Sequence, residues 1–168
     1  KVADFVLYRR EAHYRDGRRP DLVEVGTLFD DLSRRDFTMN AMAQASDGSI
    51  IDYFGGQDDI RSRIIRSVGD PWLRFEEDAL RIMRVLRFSV TKGFNIERPI
   101  WEVLEEDALL EALSRVADER VAMELSKMLR FDTGASLELL GRIPKVREVI
   151  FSGKVSLDAT LKTKGRGK

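Results

Sequence analysis

The 168-residue chain balances 29 Lys and Arg against 29 Asp and Glu, so net charge favours neither nucleic acid nor membrane as a partner, while 43% hydrophobic residues suffice for a core. With no cysteine and one histidine, disulfides, thiolate metal sites and His-rich centres are excluded, and any catalytic metal needs carboxylates. No apolar run approaches the roughly 20 residues of a membrane span and no hydrophobic leader precedes a cleavage site, so a soluble, cytoplasmic protein with no membrane partner is expected.

The chain opens at Lys1, directly in an apolar alternating run, as if entered in mid-domain. Residues 2–9 have strand content, residues 13–20 read as a basic loop, and a second short strand is expected at 22–25. A short helix over 27–34, an apolar segment at 37–43, a turn at Asp47-Gly48 and a strand over 50–53 follow. Gly55-Gly56 breaks the chain before a short helix at 58–63 and a last strand over 64–68.

From there the apolar period changes from two to 3.6. Ala79, Ile82, Met83, Leu86 and Val90 lie on one face, which predicts a single helix over 73–92 with Gly93 as its stop. Further helices are expected at 99–113, with Pro99 in the first turn, at 118–130 and at 133–142; residues 160–168 read as a basic, mobile tail. The fold class is therefore α+β, a small mixed lobe followed by a helical one.

Two segments carry chemistry. In the expected helix over 73–92, Asp78 and Arg81 are neighbours on one face, and Arg84 extends the row. Aspartate only accepts hydrogen bonds and arginine only donates them, so the pair presents an acceptor beside a donor. Cytosine and adenine show an amino donor next to a ring acceptor; uracil and guanine show the reverse. One Asp–Arg pair can thus accept C and A and reject U and G. On spacing alone, the commoner meaning is an exposed ion pair worth at most about 0.5 kcal/mol. In the second segment, Arg34-Arg35-Asp36-Phe37-Thr38-Met39-Asn40, adjacent guanidiniums suit phosphate oxygens, while Asp36 and Asn40 suit ribose hydroxyls or the orientation of the arginines.

The ordered series Arg34 to Ala43, Ile51-Asp52-Tyr53-Phe54-Gly55-Gly56 with Asp59-Ile60, Val68-Gly69-Asp70-Pro71, Arg74-Phe75, Glu77-Asp78-Ala79-Leu80-Arg81-Ile82-Met83-Arg84, Leu86-Arg87-Phe88 and Gly93-Phe94 resembles the class II tRNA nucleotidyltransferase and bacterial poly(A) polymerase family. The likeness runs from Val2 to about Arg130, and Glu119-Arg120 with Glu124-Leu125 resembles the family's neck helix. It implies a partial nucleotidyltransferase palm over residues 1–70 and a helical neck over 71–159, ahead of the tail at 160–168. It implies that Arg34, Arg35, Asp36 and Asn40 hold ribose and triphosphate, that Asp78 and Arg81 are the template for the incoming base, and that Arg84 lies beside the triphosphate or supports the template. The substrates implied are ATP and CTP, the partner tRNA and the cofactor Mg²⁺. Ala79 looks more like the CCA-adding branch than the poly(A) polymerase branch.

The family's glycine-rich turn, Arg-Asp pair and palm Asp-x-Asp precede the segment that begins here, and that series does not occur in this chain. A missing or separate N-terminal palm segment is therefore expected to carry the metals, and this chain alone is expected to be inactive. Asp4 aligns with a supplementary family carboxylate, or is a strand aspartate without a role. His13 falls in a variable loop over 9–19, and Glu105 and Asp107 read as solvated helical carboxylates. The expected function is a fragment of a tRNA 3′-terminal nucleotidyltransferase adding CCA, CC or A; the alternatives are a catalytically silent nucleotide- or RNA-binding module and a poly(A) polymerase.

Overall fold

A computed structural model describes residues 9–14 and 20–151, with side chains from Gly26 onward. Asp4, the strand residues before Arg9, the basic residues 15–19 and the expected tail over 160–168 lie outside the described residues. The chain first pairs as a hairpin: β1 (Arg9–Tyr14) runs antiparallel to β2 (Pro20–Val25), with Arg9 opposite Val25 and Tyr14 opposite Pro20. His13 therefore sits in a strand and not in the loop expected over 9–19; pairing with β2 overrides the local turn formers.

Thr27 then starts α1 (Leu28–Ser33) with a capping box, in which its backbone N–H donates to Asp30 at 2.8 Å and its hydroxyl accepts from Asp30 N–H at 3.2 Å. A 3-10 turn at Thr38–Asn40 leads into β3 (Met42–Gln44), antiparallel to β4 (Ile50–Asp52), and then α2 (Gly56–Ser62). The short β5 (Ile64–Ile65) pairs in parallel with β6 (Asn95–Ile96), which ties the first lobe to the far end of the helices.

The helical residues form α3 (Pro71–Glu77), α4 (Leu80–Lys92), α5 (Arg98–Val103), α6 (Asp107–Ser114), α7 (Asp118–Phe131), α8 (Thr133–Gly141) and α9 (Pro144–Phe151). Ile82, Met83, Val85 and Leu86 of α4 are fully buried and pack against α7, which contributes Val121, Leu125 and Met128. Each such side chain is worth roughly 1.5–3 kcal/mol of burial, so the α4–α7 seam is the backbone of the core. Within it, the carboxylate of Glu124 accepts from Arg87 Nε, and Glu124 is itself buried. Burial pushes this carboxyl up, but Arg87 and Lys127 outweigh it, and its pKa lies below the ordinary glutamate value.

Two expected helices are broken. The helix expected over 73–92 is two, α3 and α4, because Asp78 leaves helical geometry at φ −148°, ψ 98°. Its side chain instead turns back to accept from Leu80 N–H at 3.1 Å. The helix expected over 99–113 likewise divides into α5 and α6, with fully buried Leu104 at the break and the side chain of Glu105 accepting from the backbone N–H of Lys145 at 2.8 Å. Gly93 ends α4 as expected, in the left-handed conformation at φ 65°.

Candidate functional site

Arg34, Arg35, Asp36, Asn40, Asp78, Arg81 and Arg84 all line one open cleft of about 570 Å³, closed on its remaining side by Leu80, Phe88 and Arg120. The cleft lies where the end of α1 and the 3-10 turn meet the α3–α4 break and α7. Five guanidiniums and two carboxylates line it; even with Asp31 and Glu77, which bind these arginines from behind, cations stay in excess. A chain with no net charge thus builds an electropositive cleft suited to an anion.

Asp31 organises the two arginines that follow α1. Buried on α1, it accepts from Arg34 Nε at 3.2 Å and from Arg35 Nη2 at 3.1 Å, the i+3 and i+4 neighbours on the same turn. Burial raises its pKa and the two arginines lower it by more, so it is held below the usual carboxylate range. Arg35 also donates to the Asn40 carbonyl at 2.9 Å. Asp36 is equally committed: one oxygen accepts from Phe37 N–H at 2.8 Å and Asn40 Nδ2 at 3.0 Å, the other from Arg84 Nε at 2.7 Å. It therefore orients the amide of Asn40 and the guanidinium of Arg84, which also lies 5.4 Å from the Phe88 ring centroid.

The turn carrying Asn40 is braced from below. Thr38 Oγ1 donates to buried Asp59 at 2.7 Å, and Asp59 accepts from Arg66 Nε at 3.1 Å. Gly56 packs so closely on this turn that a Cβ built on it would stand 2.2 Å from the Thr38 carbonyl oxygen.

Across the cleft, Asp78 and Arg81 are not the ion pair that helical spacing suggested. Arg81 donates through Nη1 to the Arg74 carbonyl at 2.8 Å and Glu77 at 3.0 Å, and through Nη2 to the Arg34 carbonyl at 2.9 Å. Arg74 reaches the Ser33 carbonyl at 3.1 Å. Two guanidiniums from the helical lobe thereby satisfy the last carbonyls of α1, a favourable place for cations, and tie the α3–α4 break to the end of α1. The side chain of Asp78, at the break between the helices, accepts from Leu80 N–H and, at 3.3 Å, from Arg120 Nη2 of α7. An acceptor and a donor still face the cleft together, but each is held by a different partner.

Sequence reasoning missed Asp31, Glu77 and Arg120 as members of the site. Asp31 and Glu77 lie at helical spacing from the arginines they bind, a signal present in the sequence. Arg120 is 42 residues from Asp78, and no local pattern announces that contact. Among the described residues, no three His, Cys, Asp or Glu side chains converge as a metal site. Glu105 and Asp107 stand apart from the cleft, at Lys145.

Comparison with known proteins agrees in sequence and shape. A family model for the Poly A polymerase head domain matches residues 1–66. The CCA-adding enzyme of Geobacillus sp. (strain WCH70) is 48% identical over 127 residues, which is 75% of this chain and 31% of that protein. The crystal structure of the Bacillus stearothermophilus CCA-adding enzyme in complex with CTP superposes with a TM-score of 0.67 at 43% identity, covering 72% of this chain and 31% of that one. The Thermotoga maritima CCA-adding enzyme complexed with tRNA-CCA gives 0.67 at 32% identity, covering 76% and 32%. The chain spans about a third of the length of these relatives.

Proposed function

The chain belongs to the CCA-adding enzyme family, and we propose that it supplies the nucleotide-selecting part of a tRNA 3′-terminal nucleotidyltransferase that uses CTP and ATP. The observation that carries this reading is the convergence of the Arg34-to-Asn40 segment and the Asp78–Arg81 segment on one electropositive cleft. In this reading residues 1–70 belong to the palm and residues 71–159 to the neck, and the cleft lies between them.

The two sides of the cleft divide the work. Arg34 and Arg35, steadied by Asp31, receive the triphosphate, with Arg84 beside them; phosphate contacts position the nucleotide without reading it. Asn40, oriented by Asp36, faces the ribose. Asp78 accepts the exocyclic amino group of cytosine or adenine while Arg81 donates to the adjacent ring nitrogen. Both carboxylate oxygens of Asp78 already accept one bond, and each retains a lone pair for that amino group. Uracil or guanine would set a carbonyl oxygen against a carboxylate and an N–H against a guanidinium.

Mg²⁺ is expected of the complete enzyme, where it supplies activation of the RNA 3′-hydroxyl and charge neutralisation on the leaving pyrophosphate. The cleft carboxylates Asp36 and Asp78, and Asp31 behind them, do not fit a metal-binding role, since each is occupied by arginine. What these residues do is bind, orient and select. We place the reaction in the cytoplasm, where tRNA and nucleoside triphosphates meet; no helix of the described residues is long and apolar enough to cross a membrane.

The test is to graft this chain into the Geobacillus relative in place of the matching third. A graft that restores the terminal C and A residues of truncated tRNA supports the reading. A folded graft that adds neither, or adds U and G equally well, refutes it.

A further inference from the structure

We propose that Arg120 on α7 is a positioning residue for base choice, holding the Asp78 carboxylate at the angle from which it meets the exocyclic amino group. The inference rests on the assignment of Asp78 and Arg81 as base readers. Three observations lead to it. First, Asp78 lies at the break between α3 and α4, at φ −148°, where its carbonyl accepts from Arg81 N–H at 2.9 Å but its side chain is not set by the geometry of a helix interior. Second, that side chain is held at both oxygens, by a bond of 3.1 Å from Leu80 N–H to one and of 3.3 Å from Arg120 Nη2 to the other. The first leaves rotation about that contact; the second removes it. Third, Arg120 is delivered by a helix whose position is fixed, because Glu124, one turn further along α7, is buried and bound to Arg87 of α4.

The pair is not there for stability. Both side chains are about 30% exposed, at 30% and 28%, and an ion pair so placed is screened by water and adds little to folding. Its effect is geometric. Arg81 has three anchors of its own, on Arg74, Glu77 and Arg34, so the donor half of the reading edge is fixed without Arg120. The acceptor half is fixed only with it. A carboxylate that swings can still accept from an amino group, but it also tolerates the shifted edge of uracil or guanine, so discrimination falls before binding does.

The experiment is isothermal titration of CTP, ATP, UTP and GTP into the 168-residue chain, for the wild type, Arg120→Met and Arg120→Lys, with unfolding curves to establish that each is folded. The wild type is expected to prefer CTP and ATP. Arg120→Met lowers that preference roughly tenfold, the size of one charge-assisted hydrogen bond. Arg120→Lys keeps the charge without the planar fork and recovers part of the preference, which also covers the case in which Arg120→Met is unfolded. Were Arg120 merely structural, affinity for all four nucleotides would fall together and their ratio would stay. An unchanged ratio in a folded Arg120→Met, or in Arg120→Lys when that variant alone folds, overturns this inference and leaves the base-reader assignment standing. A wild type that binds all four nucleotides alike overturns both.

Discussion

Arg81 donates a hydrogen bond to the backbone carbonyl of Arg34 at 2.9 Å, across 47 residues of sequence, so the donor proposed to face the base is fastened to the segment proposed to face the phosphates. The separation of the two segments is thus set by two guanidiniums, Arg81 on the Arg34 carbonyl and Arg74 on that of Ser33. This predicts different consequences for the two template residues. Asp78→Ala removes the acceptor and releases Leu80 N–H and Arg120: CTP and ATP should lose about 1–3 kcal/mol of preference over UTP and GTP. Arg81→Ala should reduce selectivity and also weaken every nucleotide, since the α1 end loses one of its two anchors. Titration of the four nucleotides separates these outcomes, and unchanged selectivity in both variants would reduce the pair to structural ion-pair residues.

Arg35→Met should weaken CTP and ATP by the same factor. Its side chain is 44% exposed and reaches the cleft from the phosphate side, where contacts carry charge but no base information. The loss should shrink as salt rises, because screening already weakens the wild-type contact. A loss confined to one nucleotide would contradict the assignment.

How much of this was legible in the sequence depends on the range of the interaction. The buried face of α4 follows from the 3.6 spacing of Ile82, Met83 and Leu86, and Thr27 was recognisable as the start of α1. The break at Asp78 was not legible. Glu77-Asp78-Ala79-Leu80 contains neither glycine nor proline; at the interruption the Asp78 side chain accepts from Leu80 N–H and from Arg120, 42 residues away. Spacing therefore brought out two residues that do line one cleft, but on an incorrect geometric ground, a shared helix face that does not exist. The same limit hid the division between α5 and α6, which Lys145 and the burial of Leu104 stabilise from afar.

Gly56→Ala should disturb the ribose side from a position outside the cleft. The new Cβ would stand 2.2 Å from the Thr38 carbonyl oxygen and 2.8 Å from its carbonyl carbon, both backbone atoms that cannot rotate away. Either α2 or the Thr38–Asn40 turn must move, at a cost of about 1–3 kcal/mol. A lower melting temperature together with weaker binding of all four nucleotides is expected; a variant as stable as the wild type would show that the two segments are not tightly apposed.

Acid should loosen the α4–α7 seam through Glu124. Its folded pKa lies below the ordinary value of about 4.3, so the unfolded chain binds its proton first as pH falls. The stability it contributes is therefore complete above about pH 5, declines as pH falls through the ordinary glutamate value towards the lowered one, and is gone below it. Glu124→Gln should remove this part of the acid dependence and destabilise the protein at neutral pH by about 3 kcal/mol, since Arg87 keeps its charge without its partner. Urea titrations of both proteins between pH 3 and pH 7 (roughly the span of carboxylate titration) check the sign; parallel curves would remove Glu124 as the cause.

The 168-residue chain by itself should bind CTP and ATP without extending tRNA. Binding and selection need guanidiniums, a carboxylate and an amide, and the cleft assembles all of them. Transfer needs more: the RNA 3′-hydroxyl has an unperturbed pKa far above neutrality, and its activation calls for carboxylates free to bridge metal ions. No Asp-x-Asp occurs in the sequence, Asp36 and Asp78 are spoken for by Arg84 and Arg120, and Glu105 and Asp107 bind Lys145 away from the cleft. With Mg²⁺ or Mn²⁺ the chain should incorporate no labelled CMP or AMP into tRNA lacking its 3′ terminus, whereas the same residues grafted into a relative that carries the palm carboxylates should be active. Robust metal-dependent extension by the chain alone would mean that Asp4, or a carboxylate bound here to arginine, exchanges its partner for a metal ion when nucleotide arrives.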